Sequence, residues 1–202
     1  MASVDVSEAE AAGGLESEEP SLVGKLEDSV EIKSNAGDFH DVFSCRPHHI
    51  SNVSPDNIQG CGMHEGDWGT PGSTIVWDYV HEGKKKFAKE IVEAIDHENY
   101  STTFKVIEGD IMEYYKNFRL IVKATPKKDG EGSIVHWTLE YEKLHENIPD
   151  PTSLMEFTHA VSKDIDLHLQ ELLLLTGRMS DKWYGWAVAE PGILLRGTKN
   201  YI

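Results

Sequence analysis

Two cysteines and two histidines carry the first hint of chemistry. Cys45, His48, Cys61 and His64 form two Cys-x-x-His spacings, superficially the ligand inventory of a zinc site. The second pair falls on a stretch that reads as a strand, where residues three apart point to opposite faces. One partner would turn away from a shared ion, so no metal is expected. A second signal is EGDWGTPGS, residues 65–73, in which Gly66, Gly69 and Gly72 recur at every third position. A Walker loop needs Gly-Lys-Ser/Thr five residues after its first glycine, because the lysine neutralises phosphate charge. Here Pro71 and Gly72 hold those places, lysine is missing, and Glu65 and Asp67 add negative charge. The chain then enters a strand instead of a helix, which disfavours a dinucleotide loop. The stretch reads as a tight connection between strands, with backbone amides as its only means of holding phosphate. Ser, His and Asp are plentiful, but no Gly-x-Ser-x-Gly pattern marks a nucleophile, and His48 and His49 read as packing residues. Neither a catalytic residue nor a cofactor is expected.

Composition narrows the choice of partner. The 202 residues suit one domain with tails, and 39% hydrophobic content supplies one substantial core. A net charge of -16 opposes binding to phosphate backbones and anionic membranes, whose affinity comes from Lys and Arg. Nucleic acid is therefore not an expected partner. Two cysteines are too few for a disulfide framework. No basic-then-apolar leader and no long apolar window occurs, so stable membrane insertion is not expected and a cytoplasmic address is.

The elements that must position any site follow from periodicity. Residues 1–21 are acidic and poor in large apolar groups, and read as a disordered tail. LVGKLEDSVEI reads as a strand, and DFHDVFSC and PDNIQG as short helical pieces, the second begun by Ser54 and Pro55. STIVWDYVHEG, KKFAKEIVEAIDHE, YSTTFKVIEG, MEYYKNFRLIVKAT and SIVHWTLEYEKL are rich in β-branched and aromatic residues and separated by turn residues, as consecutive antiparallel strands should be. From Pro151 the period becomes helical, with Leu154, Phe157, Val161, Ile165 and Leu169 on one face.

Alternation then sorts the strand residues by face. Ile75, Trp77 and Tyr79 share one side with Tyr100, Thr102, Phe104 and Val106, with Phe118, Leu120 and Val122, and with Val135, Trp137, Leu139 and Tyr141. The opposite side carries Asp78, Lys105, Arg119, Lys123, His136 and Glu140 and is a solvated surface. A sheet with one wet face, curved around one amphipathic helix, would bury the aromatic rows. Those rows form either a solid core or the wall of a cavity.

Three segments decide between these. RPHHISNVSPDNIQGCGMHEGDWGTPGSTIVWDY, the VIEGD turn and IPDPTSLMEFTHAVSKDID resemble the major latex protein branch of the birch pollen allergen and pathogenesis-related superfamily of plants. The resemblance runs from about Leu22 to Gln170 in one register. It implies an α+β helix-grip (START-like) fold: a curved seven-stranded antiparallel sheet and two short helices grasping a long C-terminal helix around a hydrophobic cavity. It also implies that Ala88, Glu90, Val92 and Ala94 face that cavity, where apolarity alone chooses neither row of this strand cleanly. Glu90 would then be a polar anchor whose pKa desolvation raises; the alternative is an exposed member of the Lys84–Glu93 charge run. The lining expected for an apolar ligand is Phe43, Ile75, Trp77, Tyr79, Glu90, Val92, Tyr100, Thr102, Phe104, Phe118, Leu120, Val135, Trp137, Leu139, Tyr141, Phe157 and Val161. Among these, Glu90, Tyr79, Tyr100 and Tyr141 are the candidate polar anchors.

The resemblance points to a non-enzymatic carrier of an apolar or amphipathic small molecule, linked to defence or stress response. Alternatives on the same fold are a condensing enzyme and a ligand-gated hormone receptor. The enzyme would need a cavity Lys or paired acid and base, and the inward rows offer Glu90, with Lys116 near the mouth. Residues 171–202 depart from the family pattern: after LLLL the periodicity is lost, and this extension, with Trp183, Trp186 and Leu194, is either a largely disordered terminus tethered by LLLL as a helix extension or a cover for the cavity mouth or sheet edge.

Overall fold

The computed structural model describes residues 21–128 and 130–182. The expected acidic tail, apart from Ser21, and the extension beyond Lys182, with Trp183, Trp186 and Leu194, lie outside the described residues. Seven strands follow one another along the chain: β1 (Val23–Ile32), β2 (Ile58–Glu65), β3 (Thr74–His81), β4 (Lys84–Asp96), β5 (Ser101–Gly109), β6 (Tyr115–Pro126) and β7 (Ser133–Lys143). Between β1 and β2 lie α1 (Ala36–Ser44), a 3-10 turn (Pro47–His49) and α2 (Ile50–Val53); α3 (Thr152–Lys182) ends the described chain. The strands form one curved antiparallel sheet in the order β1-β7-β6-β5-β4-β3-β2, which grips α3. This is the helix-grip architecture.

Local chemistry accounts for the hairpins. Glu82 and Gly83, with φ of 53° and 72°, make the two-residue turn from β3 to β4, a left-handed pair that matches the twist of the flanking strands. In the next turn the Asp96 carboxylate accepts from the backbone N–H groups of Glu98 and Asn99, each at 3.0 Å. Gly109 ends β5 at φ 120°, and a 3-10 turn (Asp110–Glu113) precedes β6, where periodicity predicts strand from Met112. A Cβ at Gly109 would lie 2.3 Å from the Phe87 carbonyl oxygen. The obstacle is backbone, so Gly109→Ala should destabilise by about 2–4 kcal/mol in denaturant unfolding, through strain and a displaced β4.

The rows separated by alternation fold inward and outward as expected, with Ile75, Trp77, Tyr79, Phe104, Phe118, Val135, Trp137 and Leu139 all buried. The outer face is tied by cross-strand ion pairs such as Lys89–Glu108 (2.9 Å) and Arg119–Glu93 (2.7 Å). On α3, Leu154, Val161, Ile165 and Leu169 are buried against the sheet. Two polar clasps fix this helix. Ser54 Oγ and Asn57 Nδ2 donate to Asp164 Oδ2. Asp166 Oδ1 accepts from the Lys33 N–H (3.0 Å), the Ser34 N–H (2.8 Å) and Ser34 Oγ (2.6 Å).

One sequence expectation changes here. The second helical piece lies before PDNIQG: Pro47 opens the 3-10 turn, α2 follows, and Ser54 closes it. The Ser54 hydroxyl is spent on Asp164 of α3, so it caps no helix of its own. Beyond Gln170 the chain stays helical to Lys182, although no apolar period continues. Consecutive residues on a helix point about 100° apart, so Leu172–Leu175 cannot share a buried face, and they are 43–63% exposed. Leucine's high helix propensity sustains the helix where packing no longer selects a face.

Candidate functional site

Between the concave face of the sheet, the short helices and α3 lies a cavity lined by Phe43, Ile50, Ile58, Trp77, Tyr79, Ala88, Glu90, Phe104, Ile111, Leu120, Trp137, Leu154, Phe157, Thr158 and Val161. It contains about 620 Å³ of atom-free space including its open mouth, of which about 70 Å³ is free to the centre of a water-sized sphere. The space is therefore narrow, pinched by aromatic rings. A drug-sized occupant, which needs about 300 Å³ or more, fits only if wall side chains swing outward.

Glu90 is the acid in this wall. In β4 the inward row is Ala88, Glu90 and Val92, and Glu90 lies opposite Ile75 of β3 and Val106 of β5. The row then breaks. A bulge between Val92 and Ala94 turns Ala94 outward and Ile95 toward the core, correcting the expectation that Ala94 faces inward. Glu90 is 6% exposed, and Trp77 Nε1 donates to its Oε2 at 2.8 Å. Burial pushes its pKa up to about 7; the Trp77 hydrogen bond acts the other way and is the weaker influence. Tyr79, 4% exposed, presents a buried hydroxyl with no hydrogen-bond partner among the described residues. Burial, then the charges of Asp110 and Glu90, raise its pKa well above the ordinary phenol range.

The other residues expected at the site divide in two. Phe43, Trp77, Tyr79, Glu90, Phe104, Leu120, Trp137, Phe157 and Val161 come together around the cavity. Ile75, Val92, Thr102, Val135 and Leu139 are buried in the surrounding core. Phe118 and Tyr141 pack instead with Tyr115, ring centroids 5.1 and 5.5 Å from it. The Tyr141 hydroxyl donates to Asp150 Oδ1 at 2.6 Å, so this candidate anchor is already engaged in the fold. Tyr100 sits in the β4–β5 turn at φ 53°, its ring 6.0 Å from that of His40, outside the cavity wall. Lys116 is exposed, pairs with Glu142 at 2.7 Å and does not line the cavity. Ile50, Ile58, Ile111 and Thr158 line the cavity without having been anticipated. The first three lie in or beside irregular segments where no period exists to assign a face, and Thr158 sits one residue from the aromatic Phe157 on α3.

The glycine-rich loop is a strap between β2 and β3. Gly66, Gly69 and Gly72 all have positive φ, and Ser73 Oγ accepts from the Asp67 N–H (3.0 Å) while donating to its carbonyl (2.8 Å). The Gly72 N–H donates to the Val92 carbonyl at 2.7 Å, and Trp68 stacks on His48 with centroids 4.4 Å apart. The amides of Asp67, Gly72 and Ser73, which a phosphate in this loop would draw on, are thus already committed inside the protein. Cys61 is partly buried and His64 exposed on β2, and among the described residues no cluster of three or more His, Cys, Asp or Glu is disposed to hold a metal. No helix among the described residues is long and apolar enough to cross a membrane.

The family model of the pathogenesis-related protein Bet v 1 family matches residues 21–171. The chain belongs to the Bet v 1 family. Within it, the chain is 55% identical over 152 residues to MLP-like protein 34 of Arabidopsis thaliana, covering 75% of this chain and 48% of that protein. To MLP-like protein 31 of the same plant it is 51% identical, covering 75% and 89%. The match thus spans about half the length of the first relative and most of the second. A crystal structure of ginseng major latex-like protein 151 from Panax ginseng superposes with a TM-score of 0.70 at 44% identity, covering 73% of this chain and 97% of that one. Within the Bet v 1 family the chain is a major latex protein-like member. Norcoclaurine synthase of Thalictrum, at 16% identity and a TM-score of 0.59, shares the fold alone. Membership of the Bet v 1 family supports a hydrophobic ligand-binding fold.

Proposed function

We propose that this Bet v 1-family chain is a cytoplasmic, non-enzymatic carrier that encloses an apolar or amphipathic small molecule, such as a sterol, a fatty acid or a hormone-like compound, in the service of defence or stress response. The observation that carries this reading is the aromatic cavity with the Trp77–Glu90 pair buried in its wall. Desolvation supplies the affinity, at about 25 cal/mol per Å² of apolar surface buried, and the few polar atoms in the wall supply orientation. Side chains such as Phe157, from α3, and Trp77, from the sheet, pinch the space, so a large occupant enters with their rearrangement.

Native mass spectrometry of the protein purified from plant tissue, followed by denaturing extraction, tests the reading. The expected result is a stoichiometric apolar small molecule released on unfolding. A protein that is empty and also fails to bind a panel of sterols, fatty acids and phenolics would overturn it.

A further inference from the structure

The polar atoms around the cavity can be accounted for one by one. Trp77 Nε1 is spent on Glu90, Trp137 Nε1 donates to Ser162 Oγ at 2.9 Å, and Thr158 Oγ1 donates to the Met155 carbonyl at 2.7 Å. What remains for an occupant is the Glu90 carboxyl and the Tyr79 hydroxyl, the latter buried without a partner among the described residues. Among the described residues, the groups facing Glu90 offer no positive charge. Cys61 on β2 and Tyr79 on β3 are the titratable neighbours that feel its charge, and both are neutral near pH 7 because burial raises their pKa values. Val106 of β5 lies opposite it, Thr158 is the polar lining group from α3, and Asp110, whose charge acts on Tyr79, is negative.

A buried carboxylate without a cation is costly, and a ligand that brings one removes the cost. We propose that the cavity selects amphipathic amines: an aromatic or alicyclic body fills the apolar space while the ammonium donates to the Glu90 carboxylate and the Tyr79 hydroxyl oxygen. This rests on the carrier reading and narrows its ligand class. An ammonium has three donors and a full charge, and its hydrogen bonds to a carboxylate are roughly twice as strong as neutral ones. A ligand alcohol offers one donor and no charge. A ligand carboxylate would set two like charges in one apolar box, forcing one to take up a proton.

The pH dependence follows from the same geometry. An alkylammonium, like that of lysine, stays protonated across neutral pH, whereas Glu90 loses its proton near pH 7. Amine affinity should therefore rise as pH increases through 7 and then level, with a proton released on binding. Alcohol binding should change far less.

The test uses 2-(2-naphthyl)ethylamine, 2-(2-naphthyl)ethanol and 2-naphthylacetic acid, which share one apolar body, titrated calorimetrically into the full chain on either side of neutral pH. Expected on the alkaline side is amine binding at least about tenfold tighter than alcohol binding, with the acid weakest. On the acidic side the ratio should fall toward one, and Glu90→Gln should remove the preference at both. Should that variant fail to fold, the pH dependence of the wild-type ratio decides by itself. Alcohol binding as tight as amine binding at both pH values, or a preference that survives Glu90→Gln, would overturn the inference and leave the carrier reading intact. Binding of none of the three would overturn the inference, while the carrier reading would then be decided by the panel of sterols, fatty acids and phenolics.

Discussion

Glu90→Gln should make the protein more stable at alkaline pH, by up to about 3 kcal/mol, while changing little near pH 4. The sign follows from proton uptake. In the unfolded chain Glu90 titrates near 4.5, and in the folded protein burial moves it up to about 7. Below 4.5 the carboxyl is protonated in both states and adds no pH-dependent term. Between 4.5 and 7 the folded state holds a proton that the unfolded state releases, so wild-type stability falls as pH rises, and above 7 the loss is complete. Glutamine keeps an oxygen to accept from Trp77 Nε1 and never ionises, so it escapes the loss. Urea unfolding of both proteins across this window is the check. Parallel curves would mean that Glu90 reaches water in the folded state. The expected gain in stability and the predicted loss of amine selectivity have one cause, a carboxylate charge held in an apolar wall.

Asp166→Ala should be the most damaging single change on α3, costing about 3–5 kcal/mol. Its Oδ1 is the acceptor for two backbone N–H groups and a hydroxyl at the junction of β1 and α1, and the residue is 9% exposed. Alanine strands these donors where water cannot replace the carboxylate. Asp166→Asn keeps an oxygen in the same place and should recover a large part of the loss. Chemical denaturation of the two variants provides the comparison, and equal, small effects would show that the junction rearranges to find other acceptors. Because this clasp holds the helix against the first strand, loosening it should also widen access to the cavity.

Period-two alternation was sufficient to place the aromatic rows of β3, β5, β6 and β7, because burial on one face of a sheet imposes a strict repeat on side-chain type. The helical period did the same for Leu154, Val161, Ile165 and Leu169 of α3. Where repeats fail, so does the reading. Ile50, Ile58 and Ile111 enter the cavity from or beside short turns whose direction local sequence does not encode, and the β4 bulge exchanges Ala94 for Ile95 within an otherwise regular strand. The second helical piece was displaced by Ser54 for a related reason: a cap and a long-range clasp use the same hydroxyl, and only the position of Asp164 selects between them.

The sequence by itself determined the wet and dry faces of the sheet and, through its resemblance to the major latex proteins, the helix-grip architecture and the family. Tertiary structure alone decided which buried residues are wall and which are filling. Tyr79 and Tyr141 are both inward tyrosines of one sheet; Tyr141 reaches Asp150 and is satisfied, whereas Tyr79 finds no partner among the described residues and faces the cavity. The physical reason is that periodicity reports whether a side chain leaves water. What it then meets depends on contacts between residues far apart in the chain, and the fates of Glu90, buried beside Trp77, and of Lys116, drawn outward to Glu142, were set by those contacts.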